Sequence, residues 1–403
     1  MFVPFTNLPR SATVQPTPFK VSIPQSNLDE LKTLIQLSKV APLTYEGSQE
    51  DRKYGVTNKW IRETKEKWEK DFDWRKHEAH INSFPNYIAP VVDDDSKEYK
   101  IHFVALFSDK SDAVPLVLLH GWPGSFIEFL PMLTLLSDGH TPSTLPYHLI
   151  VPSLPGYAFS SSPPLDKDFR IEDIARIINR LVIGLGFEQG YVVQGGDIGS
   201  KVARVMAAEH ASCKAIHINF CIMPEPSGVD NTTLNELDRE GLIRAAEFMS
   251  TGSAYALEHA TRTSTIGHVL ASNPIALLAW IGEKFLEWTD EKPPLDTILE
   301  SVTLYWITET LPRALYPYRQ LFTPGNIGAH ENPKWYIKKP FGFSWFPKEI
   351  APIPQSWAAT TGNLVFFRQH TKGGHFAALE RPDVLAKDIK DFIEQVWSQA
   401  KKA

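Results

Sequence analysis

A mostly parallel, doubly wound α/β sheet carrying a helical insertion is the fold class that this 403-residue sequence predicts. Three observations point to it. Short continuous apolar runs that end in Gly or Pro, "VPLVLLHGW" (residues 114–122) and "YHLIVPSLPG" (147–156), have the pattern of strands buried on both faces. Such runs alternate with helical stretches, as in "IEDIARIINRLVIGLG" (171–186), an amphipathic segment closed by glycine, followed by the apolar run of "GYVVQGGD". The strand signal then stops near Cys221 and returns after Gly328, so the sheet is completed only after an insertion of helical, aromatic sequence.

In chain order, residues 1–95 form an N-terminal wrapping segment, in which "LDELKTLIQL" (28–37) and the stretch 57–84 look helical and nothing up to about Pro90 reads as a strand. Residues 96–221 hold the first half of the sheet: "YKIHFVALF" (99–107) alternates, and "CKAIHINF" (213–220) follows the helix after Asp197. Residues 222–328 form the insertion, placed as a cap over the sheet. Residues 329–403 complete it with "FGFSWFP" (341–347), "NLVFFRQH" (363–370) and a C-terminal amphipathic helix.

Composition narrows the function. With 41 Lys and Arg against 47 Asp and Glu, the formal charge is −6 and no basic block interleaved with aromatics appears, so a nucleic-acid partner is not expected. Cys213 and Cys221 read as small core residues rather than a disulfide framework or metal ligands. The N-terminus is broken by prolines and polar residues, unlike a signal peptide or a membrane span, and a cytoplasmic location is expected. The apolar stretch 275–286 contains Glu283 and Lys284 and reads as a buried helix. The sequon at Asn231 is expected to be idle.

"VVQGGDIGSK" (192–201) carries the chemistry. Small residues around one reactive candidate, between an apolar run and a helix-compatible stretch, suit a sharp strand-to-helix turn, and the exposed position is Asp197. An Asp at such a boundary can also merely cap the helix. A carboxylate with an ordinary pKa near ~4 is ionised at pH 7 and needs no base in order to attack. Attack on an ester or amide would leave an anhydride; attack on an sp³ carbon leaves an ester that water can hydrolyse. Epoxides and alkyl halides are therefore the natural substrates.

Hydrolysis of that ester needs a base, and among thirteen histidines His375 stands in a glycine-permitted loop, "KGGHFAALE", between the last strand and the last helix. Glu349, in "FPKEIAPIP", offers the carboxylate partner. Glu380 and Asp383 lie near but fall on the final helical region, where a solvated role suits them. In "HGWPGS" (120–125) the Trp122 N–H, with that of Ile198, can hold an oxyanion, while His120 and Pro123 shape the loop. An epoxide also needs an acid for its leaving oxygen, for which the insertion offers Tyr255, Tyr305, Tyr316 and Tyr318; composition does not choose among them. Trp280, Phe285 and Trp306 suggest an apolar lining and an apolar substrate such as an aryl epoxide.

Taken together, "HGWPGS", "GGDIGS", "FPKEI" and "GGHFAALERP" resemble the epoxide hydrolases of the α/β-hydrolase fold, specifically the microsomal-type branch with its fungal members. The resemblance covers nearly the whole chain, and residues 67–87 look like the branch's N-terminal segment, which wraps the catalytic domain and packs against the cap. It implies Asp197 as nucleophile, His375 as base, Glu349 as its partner, and Tyr255 and Tyr318 as the cap tyrosines, with Tyr316 the nearest rival. It further implies an enzyme that acts on a small apolar epoxide and water without cofactor or metal; the N-terminal membrane anchor of the mammalian members is a family feature not expected here, and the aromatic cap is a candidate surface for a homodimer. Haloalkane dehalogenation, with Trp122 as a halide donor, and a non-catalytic ligand-binding protein are the alternatives.

Overall fold

The computed structural model describes residues 4–321 and 328–402. Nine strands form one sheet in the order β1-β2-β3-β5-β4-β6-β7-β8-β9. They are β1 Thr17–Phe19, β2 Asn86–Val92, β3 Glu98–Leu106, β4 Val114–Leu119, β5 Tyr147–Pro152, β6 Tyr191–Gly195, β7 Cys213–Ile218, β8 Ile337–Trp345 and β9 Gly362–Gln369. From β5 to β9 neighbouring strands are parallel; β1, β2 and β3 extend the sheet antiparallel.

The apolar runs are explained by β4, in which every residue is buried. Leu116 and Leu118 join the core on one face of the sheet, and Val117 and Leu119 join the core on the other. Because side chains alternate across a strand, a central strand covered on both faces must be apolar throughout. The helix Pro382–Ala400 covers one face beside Leu130–Ser137; Ile171–Val182 and Asp197–Glu209 pack together on the other.

Two expectations for the N-terminal segment need correction. It does contain strands: β1 and β2 pair with each other, and β2 joins β3. The signal in β2 was masked by Pro90, which lies at an exposed position where its side chain and missing N–H are tolerated near the sheet edge. The helical stretch 57–84 is two helices, Asn58–Lys70 and Trp74–Ile81, and the Asp73 side chain caps the second by accepting from Arg75 N at 3.0 Å.

Between β7 and β8 the described chain is helical, from Glu236–Glu247 to Pro317–Leu321; the stretch 322–327 of the expected cap lies outside the described residues. The N-terminal helices Gln25–Leu37 and Asn58–Lys70 pack against Pro274–Glu287 of this insertion. Trp68 Nε1 ties the two together by donating to Thr303 Oγ1 at 3.0 Å. The two cysteines are buried and unpaired. Among the described residues no single helix is long and apolar enough to cross a membrane.

The helix after β6 sits unusually close to β4. A Cβ on Gly199 would lie 2.2 Å from Leu119 O, a backbone atom that cannot swing aside. Gly199→Ala is therefore expected to lower stability by about 1–3 kcal/mol. Gly47→Ala, whose Cβ would meet ordinary contacts beginning at 3.5 Å, should leave it nearly unchanged; thermal and urea unfolding of the two variants check the difference.

Candidate active site

β6 ends at Gly195, and Asp197 opens the next helix with a φ of +45°, the left-handed region that non-glycine residues seldom occupy. The turn is held by close approaches: a Cβ on Gly195 would lie 2.3 Å from Gly199 O, and one on Gly121 would lie 2.1 Å from Asp197 Oδ1. Glycine at 121 is thus what lets the carboxylate rest against the loop after β4. There the Trp122 N–H donates to Asp197 Oδ1 at 2.7 Å. Gly196, not Asp197, is the N-cap of this helix and no side chain caps it, so the Asp197 carboxylate is not spent on capping.

His375 stands opposite, its Nε2 3.5 Å from Asp197 Oδ2 and its Nδ1 2.5 Å from Glu349 Oε1. His375 and Glu349 are buried and Asp197 is half-buried. Burial disfavours the imidazolium, but Glu349 and Asp197 outweigh it and raise the His375 pKa to about 10. Burial likewise works against the Asp197 carboxylate; hydrogen bonding and charge from His375, the Ile198 N–H and the Lys201 charge nevertheless leave its pKa below the ordinary value. Glu349 is fixed by the Ile350 N–H, which donates to Oε1 at 2.6 Å.

A cavity of about 500 Å³ lies over Asp197, with Tyr255 and Tyr318 in its wall beside Phe220, Phe248 and Trp357. Tyr318 Oη is buried without a hydrogen-bond partner among the described residues. Burial is the main cause that raises both phenol pKa values, followed by the Asp197 charge at Tyr255 and by Tyr255 and then Asp197 at Tyr318, so both hydroxyls keep their protons. The other two candidates are committed elsewhere: Tyr316 Oη donates to Pro155 O at 2.9 Å, and Tyr305 Oη donates to Gly124 O at 2.9 Å.

Several expected neighbours are not at the site. Trp280 donates to His259 Nε2, Phe285 stacks on Phe376, and Trp306 lines a separate cleft, so none of the three lines the cavity over Asp197. Asp383 lies at the surface beside Arg381 as expected, but the solvated role expected of Glu380 needs correction, since its carboxylate is largely buried and accepts from Asp290 N at 2.7 Å. His120 accepts from Leu154 N at 3.1 Å, which fits a loop-shaping role.

Other residues near the site carried no sequence signal. Trp288 O accepts the His375 backbone N–H at 2.8 Å, and its ring stands edge-on to the imidazole. Arg244, from the insertion, donates to Glu349 O at 2.6 Å and Lys348 O at 3.0 Å, clasping the loop that presents the acid. Lys284 Nζ lies 4.6 Å above the Tyr255 ring. Only the folded chain brings these groups to the triad.

Residues 16–129 match the family model "Epoxide hydrolase N terminus" and residues 114–239 match "alpha/beta hydrolase fold". The chain is 30% identical to epoxide hydrolase 1 of Oryctolagus cuniculus, over 95% of this chain and 89% of that protein. It superposes on the structure of Aspergillus niger epoxide hydrolase with a TM-score of 0.93 and 54% identity, covering 98% of this chain and 100% of the other. The fold also matches juvenile hormone epoxide hydrolase from Bombyx mori, with a TM-score of 0.83 at 24% identity, covering 96% of each chain. The chain belongs to the epoxide hydrolases of the alpha/beta hydrolase fold, and it is an enzyme that hydrolyses epoxides.

Proposed function

We propose that the enzyme opens small apolar epoxides in two steps, through an ester on Asp197, and releases a vicinal diol. One observation carries this reading: an ionised Asp197 is held by the Trp122 N–H at 2.7 Å and faces His375 at 3.5 Å, beneath the tyrosines that share its cavity. Residues 222–328 act as the cap that carries both tyrosines. Tyr255 and Tyr318 hold the epoxide oxygen while the carboxylate attacks a ring carbon; the C–O bond of the ring breaks and a phenol proton passes to the leaving oxygen. Trp122 packs against both tyrosines with its Nε1 buried and without a hydrogen-bond partner among the described residues, but a leaving halide has no use for the paired phenols, which favours the epoxide.

Charge neutralisation links the two steps. The Asp197 carboxylate helps to keep His375 protonated and the phenols weakly acidic. As it becomes a neutral ester, that hold on all three groups is released together. The phenols become better acids while the alkoxide forms. His375, left with Glu349 alone, can pass its proton to the tyrosinate and become the neutral base that the second step requires. Water then adds to the Asp197 carbonyl carbon, its proton goes to His375, and the Trp122 and Ile198 N–H groups hold the oxyanion. Collapse expels the diol oxygen, which takes the proton back from His375.

Asp197→Ala is expected to abolish turnover and to lower the His375 titration midpoint from about 10, since one of the two charges holding its proton is gone. Imidazole NMR across pH 5–11 reads this directly; an unchanged midpoint would remove the coupling between the steps. For the acids, Tyr255→Phe with Tyr318→Phe should reduce the single-turnover rate of ester formation by about 10²–10⁴-fold. Tyr316→Phe, which loses only its bond to Pro155 O, should cost about 1 kcal/mol of stability and little of that rate. Quenched-flow measurements on the three variants test the assignment.

A further inference from the structure

Asp197 has a second cavity at its back. This space, about 20 Å³, is walled by Gly121, Gly124, Glu128, Asn219, Asp197 and His375 among others, and neither Tyr255 nor Tyr318 reaches it. The substrate cavity in turn contains neither His375 nor Glu128. Asp197 is therefore the wall that the two spaces share. A volume of this size suits about one water molecule, provided that polar partners are present.

The partners are present and unclaimed. The Glu128 carboxyl makes no hydrogen bond to the protein among the described residues, and Gly124 leaves it room, since a Cβ there would lie 2.9 Å from Glu128 Oε2. Asn219 Oδ1 accepts from Gln194 Nε2 at 2.7 Å. That bond fixes the amide and leaves its Nδ2 donor beside Gly196, where a Cβ would approach to 3.0 Å. Burial raises the Glu128 pKa to about 8, although the His375 charge opposes this, so near neutral pH the carboxyl keeps a proton and can both donate and accept.

Geometry supplies the reason for such a site. Once the epoxide has become an ester on Asp197, the product fills the large cavity and obstructs approach from that side. The attacking water must meet His375 Nε2 and the Asp197 carbonyl carbon together, and the small cavity touches both residues. We propose that this cavity seats the hydrolytic water and that Glu128 and Asn219 are positioning residues which hold it against His375. The inference rests on the two-step reading above. Water's oxygen bonds to the Asp197 carbon, its proton goes to His375, and Glu128 keeps its own proton throughout, orienting the lone pair that attacks.

The two steps separate the predictions. With styrene oxide in quenched flow, Glu128→Met should form the ester within about twofold of the wild-type rate but hydrolyse it about tenfold or more slowly, as expected from losing a hydrogen bond to the attacking water. Ester then accumulates in the steady state, and kcat and KM fall together. Glu128→Gln, which keeps a donor and an acceptor, should recover most of the hydrolysis rate. Asn219→Ala, on the opposite wall, should show the same asymmetry and covers the case in which Glu128→Met folds poorly. Equal slowing of both steps, or no ester build-up in either variant, overturns the proposal. If His375→Gln, which lacks the base altogether, traps no ester, the two-step reading itself fails and the water site falls with it.

Discussion

The active centre depends on a cation held between two carboxylates inside the protein: His375 lies 2.5 Å from Glu349 and 3.5 Å from Asp197. Buried charges are costly unless they are paired and hydrogen-bonded, and removing one partner leaves the others exposed to that cost. On the proposed two-step reading, in which Asp197 loses its charge as it becomes an ester, this cost becomes useful: ester formation would disturb a balance that hydrolysis would restore. The surrounding structure maintains that balance: the left-handed turn at Asp197, the glycine at 121 that admits its oxygen, and the Arg244 clasp on the loop carrying Glu349.

Placement on the sheet makes this possible. Asp197 follows β6 and the loop with Trp122 follows β4, which is β6's parallel neighbour; the loops bearing Glu349 and His375 follow β8 and β9. In open parallel sheets the loops at the strand C-termini gather at one edge, so residues separated by up to 253 positions in the chain, from Trp122 to His375, meet there. The helical insertion between β7 and β8 closes that edge from above. It supplies Tyr255 and Tyr318 and, through Trp288 and Arg244, two backbone contacts that fix His375 and Glu349.

Much of this was legible in the sequence because it is local. Strands buried on both faces show as apolar runs, and a strained turn shows as glycines around Asp197, so seven strands, and the three residues Asp197, Glu349 and His375 that the fold brings together, are legible in the sequence. What escaped was non-local or disguised. β1 has three residues, and β2 carries Pro90, so neither displayed a strand pattern. Tyr318 and Tyr316 are two positions apart and chemically identical; only the bond from Tyr316 to Pro155 O separates them, and that partner lies 161 positions away. The aromatic residues assigned to the cavity instead pack within the cap and against the core, because periodicity reveals that a side chain is buried but not what it is buried against. Glu128 gave no signal at all, since its neighbours at the back of Asp197 come from three different loops.

The central claim is that the oxygen added to the epoxide comes first from Asp197 and only afterwards from water. A single turnover of styrene oxide by excess enzyme in oxygen-18 water, with mass analysis of the diol, tests it most directly. Unlabelled diol from the first turnover, with label appearing in Asp197 and in later product, is the result predicted. Fully labelled diol from that first turnover would mean that water attacks the epoxide directly, and would contradict the ester on Asp197.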